Sequence, residues 1–107
     1  MKLEKSVYDL VVATVADYER MSRRIAEGGL PPDQMAAFVR KISAVDHALS
    51  VVCEREREEV KRALQRDIAE RRGYERSVSR DLFGSKKAFD RRKAQAIYLI
   101  ARMTDLI

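Results

Sequence analysis

The chain is 107 residues long, 46% hydrophobic and 36% charged, with a formal net charge of +5. That length sets one domain with a modest core, and the mix of apolar and charged residues fits a soluble, mostly helical protein. One cysteine and one histidine exclude an internal disulfide and a zinc finger, and the lone cysteine suits a reducing cytoplasm.

Chain order begins with an expected helix from Leu3 to Glu27. Leu3, Val7, Leu10, Thr14, Tyr18, Met21 and Ile25 recur at steps of four and three, the period of one apolar helix face. The apolar run Leu10 to Ala16 is interrupted by Thr14 and lacks a small-residue cleavage site, so neither a signal peptide nor a membrane span is expected. Gly28-Gly29 should stop the helix, Leu30-Pro31-Pro32 should force an extended turn, and Pro32 with Asp33 suits the start of the next helix.

The second helix is expected to be long. Met35, Phe38, Ile42, Val45, Leu49 and Val52 make a heptad seam that weakens at Glu56 and resumes at Val60, Leu64 and Ile68. The intervening charged run contains neither proline nor glycine. A continuous helix to about Arg72 follows, roughly 40 residues and ~60 Å long, with a break near Arg55 as the main alternative. The short turn before it makes helices one and two antiparallel neighbours, with Phe38 and Leu49 facing helix one. Gly73 should end the long helix, and Tyr74 to Leu82 should form a short third one, with Val78 and Leu82 on one face.

Phe83-Gly84-Ser85 reads as a turn. Gly84 suits a left-handed helix end, and Ser85 suits an N-cap. Beyond it, Phe89, Ala96, Ile97, Ile100 and Met103 make an apolar stripe that continues to Leu106. The opposite face carries Lys86, Lys87, Asp90, Arg91 and Lys93. Helix, glycine turn and basic helix is the pattern of a helix-turn-helix. The fold expected is thus all-α: an N-terminal antiparallel helical hairpin with a long second helix over residues 1–72, leading into a helix-turn-helix over 73–107, packed as one unit.

Charge is segregated in the same way. Residues 1–54 hold seven Lys/Arg against eight Asp/Glu, and residues 55–107 hold fifteen against nine. The excess lies in residues 71–93, where nine cations face three acids. A basic patch that coincides with a capped helix start points to a polyanion, although a solvated basic face would have the same composition.

The stretch Leu82 to Ala101 resembles the end of the helix-turn-helix in small phage transcriptional regulators of the ArpU and RinA kind, which resemble in turn the C-terminal DNA-binding region of sigma factors. The likeness rests on Leu82-Phe83-Gly84-Ser85, Phe89, Arg91-Arg92-Lys93 and Ala96-Ile97, and covers the last third of the chain. It departs at Asp90, where an uncharged or basic residue is expected; an acid there repels phosphate but can accept from cytosine N4. The resemblance implies a phage or prophage transcriptional regulator.

Double-stranded DNA is the partner expected from the basic helix. Ser85 and the free amides after it would meet phosphate. Lys86, Lys87, Asp90, Arg91 and Lys93 would face the duplex, and Arg76 and Arg80 would touch the flanking backbone. The competing reading is a small helical protein-binding module or phage-encoded inhibitor acting through its basic surface, and a homodimer through the exposed side of the long seam is compatible with either.

No catalytic constellation, cofactor site or metal site is expected. His47 and Cys53 lie six apart on one helix, ~9 Å of rise with divergent directions, and read as a partly buried or interfacial histidine and a small hydrophobe at the hairpin edge. The acids from Glu54 to Glu59 are interleaved with Arg55 and Arg57 and read as a solvated face. Gly84-Ser85-Lys86 lacks the upstream glycine of a phosphate loop. Phe89 lies on the apolar stripe and reads as core.

Overall fold

The computed structural model of the chain describes residues 2–54, 58–78 and 83–107. Among these residues there are five α-helices, one 3₁₀ turn and no strand. The helices are α1 (Lys5–Ala16), α2 (Tyr18–Glu27), α3 (Pro32–Cys53), α4 (Glu58–Ala69) and α5 (Lys86–Met103), and the 3₁₀ turn is Tyr74–Arg76. The fold is all-α.

The expected single first helix is two. They meet at Asp17, whose φ of −89° and ψ of 0° lie outside the regular helical range. Asp17 is clamped there by Arg20, with Nε 2.6 Å from one carboxylate oxygen and Nη2 2.6 Å from the other. The buried stripe also differs from the one expected. Val11, Val12 and Val15 are buried, whereas Leu10 is 53% exposed. The physical reason is a change of partner: α1 packs on α4 and α5, while α2 packs on α3. The run Leu10-Val11-Val12 offers two adjoining apolar faces, and the partners of α1 select the valine face.

Gly28 ends α2 with φ 78°, and its N–H donates to the Ile25 carbonyl at 3.2 Å, a backbone that an L side chain adopts only with strain. The turn then delivers Pro32 to the first position of α3 with Asp33 beside it.

The long second helix is not continuous. α3 stops at Cys53, and Glu54 takes φ 39° and ψ −103°. The seam interruption at Glu56 and the alternative break at Arg55 lie outside the described residues. α4 folds back beside α3, so that Arg62 Nη2 lies 3.2 Å from Asp46 Oδ1. On one straight helix those residues would stand ~24 Å apart along the axis. The longest dimension of the molecule is 44 Å, shorter than a forty-residue helix at ~60 Å. Folding back is driven by burial: Val60, Leu64 and Ile68 join Val45, Leu49 and Val52 in one core instead of extending an exposed seam.

Arg62 holds the fold-back. Its Nε meets Glu58 at 2.9 Å, Nη1 meets Gln65 at 2.5 Å, and its guanidinium lies 5.0 Å from the centre of the Tyr18 ring. The Tyr18 hydroxyl donates to Asp46 at 2.7 Å. Burial, together with that hydrogen bond, holds the phenol above its ordinary range.

Gly73 was the expected end of this helix, but Arg71 takes the left-handed position. Arg71 has φ 56°, its N–H donates to the Ile68 carbonyl at 3.1 Å, and the Arg72 N–H donates to the Asp67 carbonyl at 2.8 Å. That pair of bonds is the Schellman closure. Gly73 is extended, with φ −81° and ψ 178°.

α5 lies along α3 in the opposite direction. Arg92, in its first half, reaches the Val52 carbonyl near the end of α3 at 2.6 Å, while Asp105, just past its end, pairs with Arg40. Phe89, Ala96, Ile97, Ile100 and Ala101 enter the core. Met103, expected on this stripe, is 37% exposed, because the helix ends there and the chain turns through Asp105 at φ 58°.

Phe38 and Leu49 are both buried, Leu49 within the main core and Phe38 under the Arg20 guanidinium. Leu49→Ala should therefore lower stability by ~2–5 kcal/mol, the usual cost of a large core truncation, measured by urea unfolding.

Asp9 joins α1 to the end of α4, with Lys5 at 2.8 Å and Arg71 at 3.0 Å. Hydrogen bonds from Lys5, then Arg71, hold its carboxyl below the usual range. A depressed carboxylate stabilises the fold above its unfolded pKa and loses that effect as pH falls through the folded value. Asp9→Asn should be less stable than the parent near neutral pH, and the difference should shrink in acid unfolding below the ordinary carboxylate range.

Candidate nucleic-acid interface

The site is built on the turn that launches α5. Gly84 takes φ 82°, a left-handed conformation that frees the chain to reverse. Ser85 is extended, and its Oγ accepts from the Ala88 N–H at 3.1 Å, the N-cap bond that satisfies an otherwise free helix amide. Phe89 anchors the first turn of α5. It is fully buried, edge-on to Tyr74 at 5.9 Å between ring centres and 6.2 Å from Phe83.

Before the turn, the expected helix does not begin at Tyr74. Among the described residues 74–78 only the 3₁₀ turn Tyr74–Arg76 forms, and Ser77 is already extended at φ −66° and ψ 139°. The cause is Asp67 of α4, which is fully buried. It accepts from Ser77 Oγ at 2.6 Å and from the Val78 N–H at 2.9 Å. Side-chain acceptors of this kind compete with a helix for the backbone. Arg80 and Leu82 lie outside the described residues.

The basic stretch Arg91-Arg92-Lys93 is divided by helix geometry, since successive side chains point about 100° apart. Arg91 is exposed. Arg92 turns inward, donates to the Val52 carbonyl and lies 5.3 Å from the centre of the Phe83 ring. Lys93 also turns inward, donating to the Arg72 carbonyl at 2.8 Å above the Phe89 ring. Burial lowers the Lys93 pKa against the opposing pull of Asp67 and Asp90. These two cations meet carbonyls at the ends of α3 and α4, where positive charge is favoured.

On the open face, Lys86 and Asp90 pair with each other at 2.5 Å. That hydrogen bond raises the Lys86 pKa and balances the acid that would otherwise repel phosphate. Arg76, Lys87 and Arg91 are exposed and have no ion pair among the described residues. Arg71 and Arg72 are engaged with Asp9 and Glu70 at 3.0 and 2.7 Å. Ala94 and Gln95 also lie on the open face. Reading for charge alone passed over them, although their spacing from Lys87 and Arg91 carries the signal.

Away from this face, an open groove of about 450 Å³ lies between α1–α2 and α4. Its wall carries both signs, Glu19 and Glu70 with Arg62 and Arg66. His47 is exposed rather than partly buried, and Cys53 is buried in the core. Among the described residues, no three His, Cys, Asp or Glu side chains gather into a metal-binding group, and no helix is long and apolar enough to cross a membrane.

The division of the basic stretch is testable by stability. Arg92→Ala should cost about 1–3 kcal/mol, since it leaves a helix-end carbonyl without its charged donor, whereas Arg91→Ala should be near neutral in the same thermal melts.

No protein-family model matches the chain, and no curated protein and no solved structure is significantly similar to it.

Proposed function

We propose that the protein is a non-enzymatic DNA-binding regulator that lays the open face of α5 on duplex DNA. The observation that carries this reading is the exposure of Lys87 and Arg91, without ion pairs among the described residues, on a Ser85-capped helix whose other face is buried. A helix held on one side and basic on the other suits a nucleic-acid groove. The amides at its start add an anion-binding end, and Arg76 is an exposed cation before the turn. The likeness of Leu82 to Ala101 to phage regulators of the ArpU and RinA kind supports transcriptional control as the purpose. Lys86 and Asp90 contribute as a neutral pair, and Lys93 supports the helix from within.

Each phosphate contact releases counterions, so affinity should fall as salt rises with a log–log slope of about −0.9 per contact. Lys87→Ala should flatten that slope by about one contact, and Arg91→Ala should weaken binding by ~1–3 kcal/mol if it grips a guanine. Duplex titrations across a salt series, with helicity checked for each variant, measure both. Folded wild-type protein without duplex affinity at low salt would replace this reading with an acidic protein partner.

A further inference from the structure

We infer that Gln95 is a specificity-determining residue of the α5 face, reading an adenine about two base-pair steps from the base gripped by Arg91; this rests on the DNA-binding reading above. Lys87, Arg91 and Gln95 follow one another at steps of four, and all three are exposed. Four residues on a helix turn through 400°, so these side chains form one gently drifting strip. Gln95 has no hydrogen-bond partner among the described residues, so the fold makes no use of its amide. Its neighbour Ala94 is exposed too, and a side chain that short allows a close approach of the helix backbone.

The chemistry of the strip is graded. Lys87 is a point charge suited to phosphate. Arg91 is a fork suited to guanine O6 and N7. Gln95 carries one donor and one acceptor side by side, the complement of adenine N6 and N7 in the major groove. Arg91 and Gln95 are ~6 Å apart along the helix axis, about two base-pair steps of 3.4 Å. Lys86 and Asp90, already paired with each other, leave this strip as the readable part of the face.

The test is selection of bound duplexes from a random pool by the full chain, by Gln95→Ala and by Gln95→Glu, each with its salt slope and helicity measured. Wild-type sites should hold an adenine within two or three base pairs of a guanine. Gln95→Ala should lose roughly 5- to 150-fold of the preference at the adenine alone, with an unchanged salt slope, because no phosphate contact is removed. Gln95→Glu should move the preference toward cytosine, whose N4 donates to a carboxylate. Sequence-specific sites shared unchanged by all three proteins would overturn the role of Gln95 and leave DNA binding intact. Duplex binding by the wild type with no base preference would do the same. Absence of duplex binding by the folded wild type would overturn both.

Discussion

Arg92 and Lys93 of α5 bind the chain carbonyls that close two other helices, Val52 in α3 and Arg72 just past α4. The last carbonyls of a helix lack partners within it, and here they find cations from a helix that arrives later in the chain. The apolar side of α5 supplies the area, with Phe89, Ile97 and Ile100 in the core; the two cations supply the alignment. Because they are consecutive, they also set the rotation of α5 and so decide which of its residues look outward.

The fold-back of α4 depends on the same economy of partners. Glu54 accepts an unfavourable left-handed backbone, a local cost of order 1–3 kcal/mol. Burial of Val60, Leu64 and Ile68 beside Leu49 and Val52 offsets it, at roughly 1.5–3 kcal/mol for each large side chain. Asp67 sits inside this core as an acceptor for the segment that leads to the turn. Its signal in the sequence was an acid three residues after Leu64 and directly before Ile68, on the apolar face of α4.

Net charge overstates what a ligand meets. Residues 71–93 hold nine cations, yet Arg71, Arg72, Arg92 and Lys93 are engaged within the fold and Lys86 is balanced by Asp90. Among the described residues of this stretch, what stays open on α5 is a narrow strip rather than a broad field. A narrow strip favours defined contacts over diffuse attraction, which is why the uncharged Gln95 gains weight in the proposed interface.

Local chemistry was enough to read the helical class, the stop at Gly28, the start at Pro32, the turn at Gly84-Ser85 and the burial of Phe89, Ala96, Ile97 and Ile100. Each follows from backbone freedom, capping or a short apolar period, and each acts within a few residues. The bend at Asp17, the left-handed Arg71 and the extended Ser77 were not readable in that way, and the interruption at Glu54 was legible only as the alternative break near Arg55. Neither glycine nor proline stands at any of them, and each depends on a specific hydrogen bond or on the burial of a whole helix. The same holds for the faces. Periodicity put Leu10 inside and set Lys93 beside Arg91 on the open face, whereas Val11 is the buried residue and Lys93 turns inward. Only the arrival of α5 against α3 and α4 chose between them, because burial and carbonyl capping are satisfied together in one rotation of that helix.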